Sequence, residues 1–350
     1  MNTADGTSPT PLSRRVVLGA AAAASSLLAA ASNATAQEAA QSLPSWNDGP
    51  AKQAILDFIR ATTDQSAKSF VAPEDRIATF DQDGTLWVEQ PVYAQAMFAL
   101  DRVHAMASQH PEWKNSEPFR AVLGNDMGAI AKFSESDWAE IVFLTHSGMS
   151  QAAFLNIVRE WLASARHPRF KRLYTELTYQ PMREVMELLR ANRFKTYIVT
   201  GGGQDFVRAY ADKVYGVPPE QVIGSLLAVQ FEMKDGRPEL MRLPKLLFND
   251  NFAGKAIGID TFIGKRPYAS FGNSTGDQQM LEWTGAGDGA RLNMLVHHDD
   301  AEREYAYGPA GGLPDTHVGT FSQALLTEAH AKGWVVISMK NDWKRVFSFA

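Results

Sequence analysis

Between Ala51 and Thr62 the apolar positions Ala54, Ile55, Phe58 and Ile59 recur at helical spacing, which predicts a packing helix after a linker that carries Pro44 and Pro50. Arg76-Ile77-Ala78-Thr79-Phe80 then reads as a short buried strand. From Trp87 to about Tyr179 strand alternation gives way to helical segments, at Tyr93 to Ala107, Ser134 to Leu144 and Ser150 to Ala165. At Pro181 the strand–helix pattern resumes. Met182, Val185, Met186 and Leu189 mark one face of a helix with proline in its first turn, ending near Asn192. Phe194 to Val199 is a strand that runs into Thr200-Gly201-Gly202-Gly203, where a new helix is expected to begin. Val222 to Leu243 reads as a hairpin turned at Lys234-Asp235-Gly236, and nothing in it suggests chemistry. A helix from about Ala253 to Ile263, strands at Tyr268 to Phe271 and Arg291 to Val296, a helix at Phe321 to Lys332 and a strand at Trp334 to Met339 complete the pattern. Trp343, Phe347 and Phe349 are expected to close the core. The whole predicts an α/β core interrupted by a helical insertion.

The first 36 residues follow a different rule. Ser13-Arg14-Arg15 precedes an Ala/Leu-rich run to about Ala31 and the small-residue stretch Asn33-Ala34-Thr35-Ala36, the three parts of a signal peptide. The paired arginines resemble a twin-arginine export signal. Cleavage after Ala36 would leave 314 residues of the 350, in a periplasmic protein with no stable membrane association and only transient contact with the export machinery. Without Asp5, Arg14 and Arg15, the 34 basic and 39 acidic residues become 32 and 38. That mild acidity argues against a nucleic-acid surface, which needs a basic patch or stripe. The chain has no cysteine, so disulfides, thiolate metal sites and cysteine nucleophiles are excluded.

Chemistry concentrates where the first predicted strand ends. Phe80-Asp81-Gln82-Asp83-Gly84-Thr85-Leu86-Trp87 sets two carboxylates two residues apart at a turn, a pattern suited to phosphoryl transfer. Thr200-Gly201-Gly202-Gly203 offers a hydroxyl and free backbone N–H groups after a strand, an anion site in outline, without the G-x-G-x-x-G spacing of a dinucleotide loop. Lys255 and Lys265 flank the next predicted helix, and Gly272-Asn273-Ser274-Thr275-Gly276-Asp277 follows the strand after it.

In this order the four pieces, from about Arg76 to Met280, resemble the haloacid dehalogenase-like hydrolase superfamily, in its phosphoserine-phosphatase-like branch. The resemblance implies a Rossmann-like parallel-sheet core, residues 37–86 and 180–350, with a helical cap at residues 87–179. It implies Asp81 as nucleophile and Asp83 as general acid/base, and phosphate held by Thr200, the Gly201 backbone and a lysine. It also implies Mg²⁺ held by Asp81, Asp83, Asn273 and Asp277. Asp83 argues against dehalogenation, because the family's carbon–halogen-cleaving members lack it. Sheet geometry favours Lys255, in the first turn of its helix on the ligand side, over Lys265 on the opposite edge. Asn273 departs from the family, whose usual residue there is an Asp; an amide can still offer its oxygen to a cation but brings no charge.

These assignments point to an exported, Mg²⁺-dependent phosphatase acting on a small phosphorylated metabolite through an aspartyl-phosphate. The alternatives are a phosphotransferase of the same fold or a non-catalytic periplasmic phosphate-ester binding protein. His104, His110, His146 and His167 show no metal-ligand spacing and read as structural. The many aromatics from Trp87 to Trp161 read as the insertion's own core, or alternatively as a pocket for a quaternary amine. His297-His298-Asp299-Asp300 could form a second metal site, although neighbours on a strand point to opposite faces.

Overall fold

The strand before the two aspartates, β1 (Ile77–Phe80), is buried along its whole length and lies at the centre of the sheet. In this computed structural model the described residues are 43–316 and 318–349, with Met1. The export segment 1–36 lies outside them, Met1 apart. β1 pairs in parallel with β2 (Lys195–Gly203) on one side and with β5 (Ala269–Gly272) on the other. With β3 (Val222–Lys234), β4 (Arg237–Phe248), β6 (Leu292–His297) and β7 (Val335–Ser338), the sheet is ordered β4-β3-β2-β1-β5-β6-β7. All pairings are parallel except β3 with β4. The chain runs outward from β1 through β2 to β4, then returns to the other side of β1. The strand order therefore reverses beside β1, and ligands of open α/β sheets bind at the carboxyl ends of strands at such a point.

Local chemistry accounts for the element boundaries. Pro181 sits in the first turn of the Gln180–Ala191 helix, where its missing N–H costs nothing. Between β1 and the Gln180–Ala191 helix the longest helices are Ala94–Met106, Glu135–His146 and Gln151–Leu162, and the last two start at capping serines. The Ser134 hydroxyl accepts the Asp137 N–H while the Asp137 carboxylate accepts the Ser134 N–H at 2.7 Å. The β3–β4 turn has positive φ at both central residues, Asp235 and Gly236, as a two-residue hairpin turn requires.

One expectation is sharpened and one corrected. A helix does begin after the glycines, but β2 runs on to Gly203, which caps a helix of only five residues, Gln204–Arg208. Thr200 is opposite Gly224 and Gly203 opposite Ser225, so Gly201 and Gly202 bulge out of the ladder. The aromatics between β1 and β2 also divide. Trp113 and Phe119 fill a small helical core with Phe133 and Trp138 at its edge, whereas Trp87, Phe98 and Phe154 join the main core. Among the described residues no helix is long and apolar enough to cross a membrane.

Candidate active site

Asp81 leaves β1 at its carboxyl end, its backbone N–H donating to the Phe271 carbonyl of β5 at 2.9 Å. The loop folds back at once, with the Gly84 N–H donating to the Trp87 carbonyl at 2.9 Å and the Trp87 indole to Asp83 Oδ1 at 2.7 Å. Asp81 and Asp83 thus point into one cavity of about 550 Å³, which Thr200, Gly201 and Lys255 also line. A Cβ on Gly202 would lie 3.2 Å from the Thr200 hydroxyl and 3.7 Å from Asp83 Oδ2, so the glycine bulge lets the two loops approach.

Lys255 is in the first turn of the Ala253–Ile263 helix and almost wholly buried, its ammonium in contact with Asp81 Oδ1 and Asp277 Oδ1. Lys265 lies on the surface, paired with Asp75 at 2.7 Å. Asn273 and Asp277 are buried below the cavity rather than in its wall. Asp277 has both oxygens engaged: Oδ1 by Lys255, Oδ2 by the backbone N–H groups of Asn273 and Ser274 at 2.9 and 3.0 Å. It shapes the loop and holds the lysine. Asn273 is held differently, its Nδ2 donating to Glu89 Oε1 at 2.6 Å and its Oδ1 accepting from the Thr85 hydroxyl at 3.2 Å.

Burial sets the protonation of these acids. It pushes Asp83 up to about 6, against the Trp87 bond and the Lys255 charge. Burial, then the Asp277 charge, raises Asp81 despite Lys255. Burial pulls Lys255 down, but Asp277 and Asp81 more than reverse this and keep the ammonium charged. Glu89 is pushed well above the ordinary carboxyl range by burial, with the Tyr307 hydroxyl opposing and Asp83 and Asp81 reinforcing. An Asp83 carboxyl near 6, beside an Asp81 held by a lysine, is suited to giving and taking a proton near neutral pH.

Among the described residues no three His, Asp or Glu side chains are grouped to hold a metal ion. The available donors are nonetheless all oxygens, from Asp81, Asp83 and the Asn273 amide, a hard set that fits Mg²⁺ when water and phosphate complete it. His297-His298-Asp299-Asp300 is no second metal site, because its members diverge. His297 faces the Ala310 carbonyl, Asp299 caps Ser338 and Lys340, and Asp300 pairs with Arg303. His298 turns inward, Nε2 donating to the Gly84 carbonyl at 2.7 Å and Nδ1 facing Glu304 at 3.2 Å.

Sequence reasoning missed the far wall of the cavity. Arg242 of β4, only 4% exposed, pairs with Asp205. It donates to the His146 carbonyl at 2.6 Å and Gln151 Oε1 at 2.7 Å, with its guanidinium 4.0 Å above the Phe154 ring. The hairpin is thereby tied to two helices of the insertion and to the helix after the glycines. His146 is buried beside it, and burial, then Arg242, pushes its imidazole down to about 3. Thr145 donates to the Ile141 carbonyl at 2.6 Å, so it accepts from His146 Nδ1 at 2.8 Å. His146 Nε2 then accepts from Gln95, whose Oε1 takes the Gly203 N–H at 2.7 Å. Trp138, Val142, Leu226 and Leu246 make this wall apolar.

Residues 78–282, more than half of the chain, match the haloacid dehalogenase-like hydrolase family. No curated protein matches the chain. Among solved structures, a conserved protein of unknown function from Anaerococcus prevotii is 16% identical, with 71% of this chain and 86% of that one covered at a TM-score of 0.48. A protein of unknown function from Bordetella pertussis is 17% identical over 75% and 97%, at 0.45. A phosphoserine phosphohydrolase-like protein from Francisella tularensis is 14% identical over 63% and 87%, at 0.35.

Proposed function

This chain belongs to the haloacid dehalogenase-like hydrolase family, and from that premise we propose that it is a Mg²⁺-dependent phosphomonoesterase working through an aspartyl-phosphate. The observation that carries the reading is the convergence of Asp81, Asp83, Thr200, Gly201 and Lys255 on one cavity, with the lysine gripping Asp81 from below. A phosphate ester repels an anionic nucleophile, so attack needs positive charge around the phosphoryl oxygens. In this reading Lys255, Thr200 Oγ1 and the Gly201 N–H supply part of it. Asp81, Asp83 and the Asn273 oxygen would hold Mg²⁺, which when bound neutralises phosphoryl oxygens. Asp277 would act one step back, through Lys255 and the Asn273 backbone.

In the first half-reaction an Asp81 oxygen bonds to phosphorus as the phosphorus–alkoxide bond breaks, and Asp83 gives its proton to the departing alkoxide oxygen. Asp83 then takes a proton from water as that water attacks phosphorus. The Asp81–phosphorus bond breaks and inorganic phosphate leaves. The cavity volume and its apolar far wall suit a small organic leaving group, so a phosphorylated metabolite is the substrate class we favour over a phosphoprotein. The site of action we favour is the periplasm, supported by residues 13–36 of the sequence.

Turnover of p-nitrophenyl phosphate with and without Mg²⁺ tests the reading. The expected result is Mg²⁺-dependent release of nitrophenol that falls by three orders of magnitude or more in Asp81→Asn, on the order of the effect of removing a nucleophile. Turnover that survives the substitution overturns the mechanism, and no turnover with any divalent metal turns the reading toward a binding protein.

A further inference from the structure

We propose that Glu89 is the positioning residue that makes Asn273 a cation ligand, by holding its carboxamide so that the oxygen, not the nitrogen, is turned to the Thr85 hydroxyl beside Asp81. This rests on the cation site proposed above. A carboxamide has two unlike ends of nearly equal size, and its partners decide which way it points. An aspartate at position 273 would present an oxygen in either orientation. An asparagine must be told which end to present.

Glu89 Oε1 accepts the Asn273 Nδ2 proton at 2.6 Å and the Tyr307 hydroxyl at 2.7 Å. An oxygen that accepts two protons can face only the NH₂ end of the amide. Asn273 Oδ1 is therefore turned toward the Thr85 hydroxyl, 3.2 Å away, which also lies 3.5 Å from Asp81 Oδ2. Reversing the amide would bring two acceptor oxygens together and set an NH₂ group against a cation.

The space for this contact is built into two separate loops. A Cβ on Gly84, which has φ of 76°, would lie 2.0 Å from Asn273 Nδ2 and 2.3 Å from Glu89 Oε1. A Cβ on Gly319, with φ of 67°, would lie 1.9 Å from Glu89 Oε1 on the other side. Glu89 is only 2% exposed and, among the described residues, makes no ion pair. A buried carboxyl without a cationic partner, enclosed by glycines and directed at an amide, is explained by the orientation it imposes.

The test is a double-mutant cycle read by calorimetric titration of Mg²⁺ into the purified protein without substrate. Glu89→Leu should weaken Mg²⁺ binding by about tenfold or more, the range seen when a ligand's outer partner is removed. Glu89→Gln, whose amide oxygen can still accept, should stay close to the wild type. With Asn273→Asp as background, Glu89→Leu should cost nothing or strengthen binding, because a carboxylate needs no orienting and loses a facing acid. Equal losses in both backgrounds, or no loss in the asparagine background, overturn the inference.

If Glu89→Leu does not fold, amide exchange in the wild type, labelled with ¹⁵N at asparagine, carries the test. The Asn273 side-chain protons should stay protected at saturating Mg²⁺, and their rapid exchange overturns the inference. Asp81→Ala keeps the two readings apart. Mg²⁺ binding that survives Asp81→Ala overturns the cation site itself. Binding lost in Asp81→Ala yet kept in Glu89→Leu overturns only the role of Glu89.

Discussion

The floor of the cavity and its far wall are built on opposite plans. The floor takes its groups from the carboxyl ends of adjacent strands β1, β2 and β5, and from the Lys255 helix that leads into β5. The sheet's own hydrogen bonds hold them in place. The far wall is gathered from the Ala94–Met106, Glu135–His146 and Gln151–Leu162 helices and the β3–β4 hairpin, elements that share no ladder with one another apart from an isolated Ser150–Met241 bridge. There the buried Arg242 does what backbone pairing does on the floor, joining Asp205, the His146 carbonyl and Gln151. A fold can therefore keep one end of a site constant while the other is rebuilt around a single cation.

Arg242→Ala should separate the two plans most sharply. It leaves the buried Asp205 with only the long 3.9 Å contact to Arg208 and strands the His146 carbonyl and Gln151, so unfolding free energy should drop by roughly 3 kcal/mol. The kcat/KM for p-nitrophenyl phosphate should fall about 100-fold as the wall shifts, while calorimetric Mg²⁺ affinity stays at the wild-type value. A parallel loss of Mg²⁺ affinity would show that the two ends are not separately built.

A smaller effect is expected from acid. His146 holds its proton below pH about 3 when folded and near 6.5 when unfolded, so between those values the unfolded chain binds a proton that the folded one refuses. Stability is full above 6.5 and falls as pH drops toward 3, by up to roughly 1.4 kcal/mol per pH unit from this group. Urea unfolding at pH 7.5 and 5 should show the difference, and His146→Gln should reduce it; an unchanged difference would place the acid sensitivity elsewhere. The smallest effect belongs to Lys265→Ala, which touches neither end: melting temperature and turnover should be unchanged, and lost turnover would reopen the choice between the two lysines.

What the sequence made legible follows the same division. Asp81 and Asp83 are neighbours at the end of a strand whose apolar run announces it. The choice of Lys255 over Lys265 needs only the rule that helices of a parallel sheet begin on the ligand side. Asn273 stands out because a glycine precedes it and an acid follows four residues on. Arg242 carries no such signal. It shares a strand face with Leu240 in an unbroken register, yet the arginine is buried and the leucine exposed, because the insertion helices cover the hairpin at Arg242, through the His146 carbonyl, Gln151 and the Phe154 ring, and leave Leu240 in solvent. Glu89 looks like an ordinary acid before a proline, and its partner Asn273 lies 184 residues away. The glycines after Thr200 pointed to the helix that follows but hid the bulge before it, because a helix N-terminus and a strand bulge both need free φ/ψ and here three glycines serve both.

The two glycines that enclose Glu89 also set a schedule. Gly84 and Glu89 come early in the chain, but Tyr307 is 218 residues later and Gly319 later still. A nascent chain that has made β1, β2 and the whole helical insertion still lacks half of the enclosure around this carboxylate. Contacts of such long sequence separation form late and slowly. The competence to take up Mg²⁺ should therefore appear as one of the last events of refolding, well after the secondary structure, and stopped-flow Mg²⁺ uptake would time it.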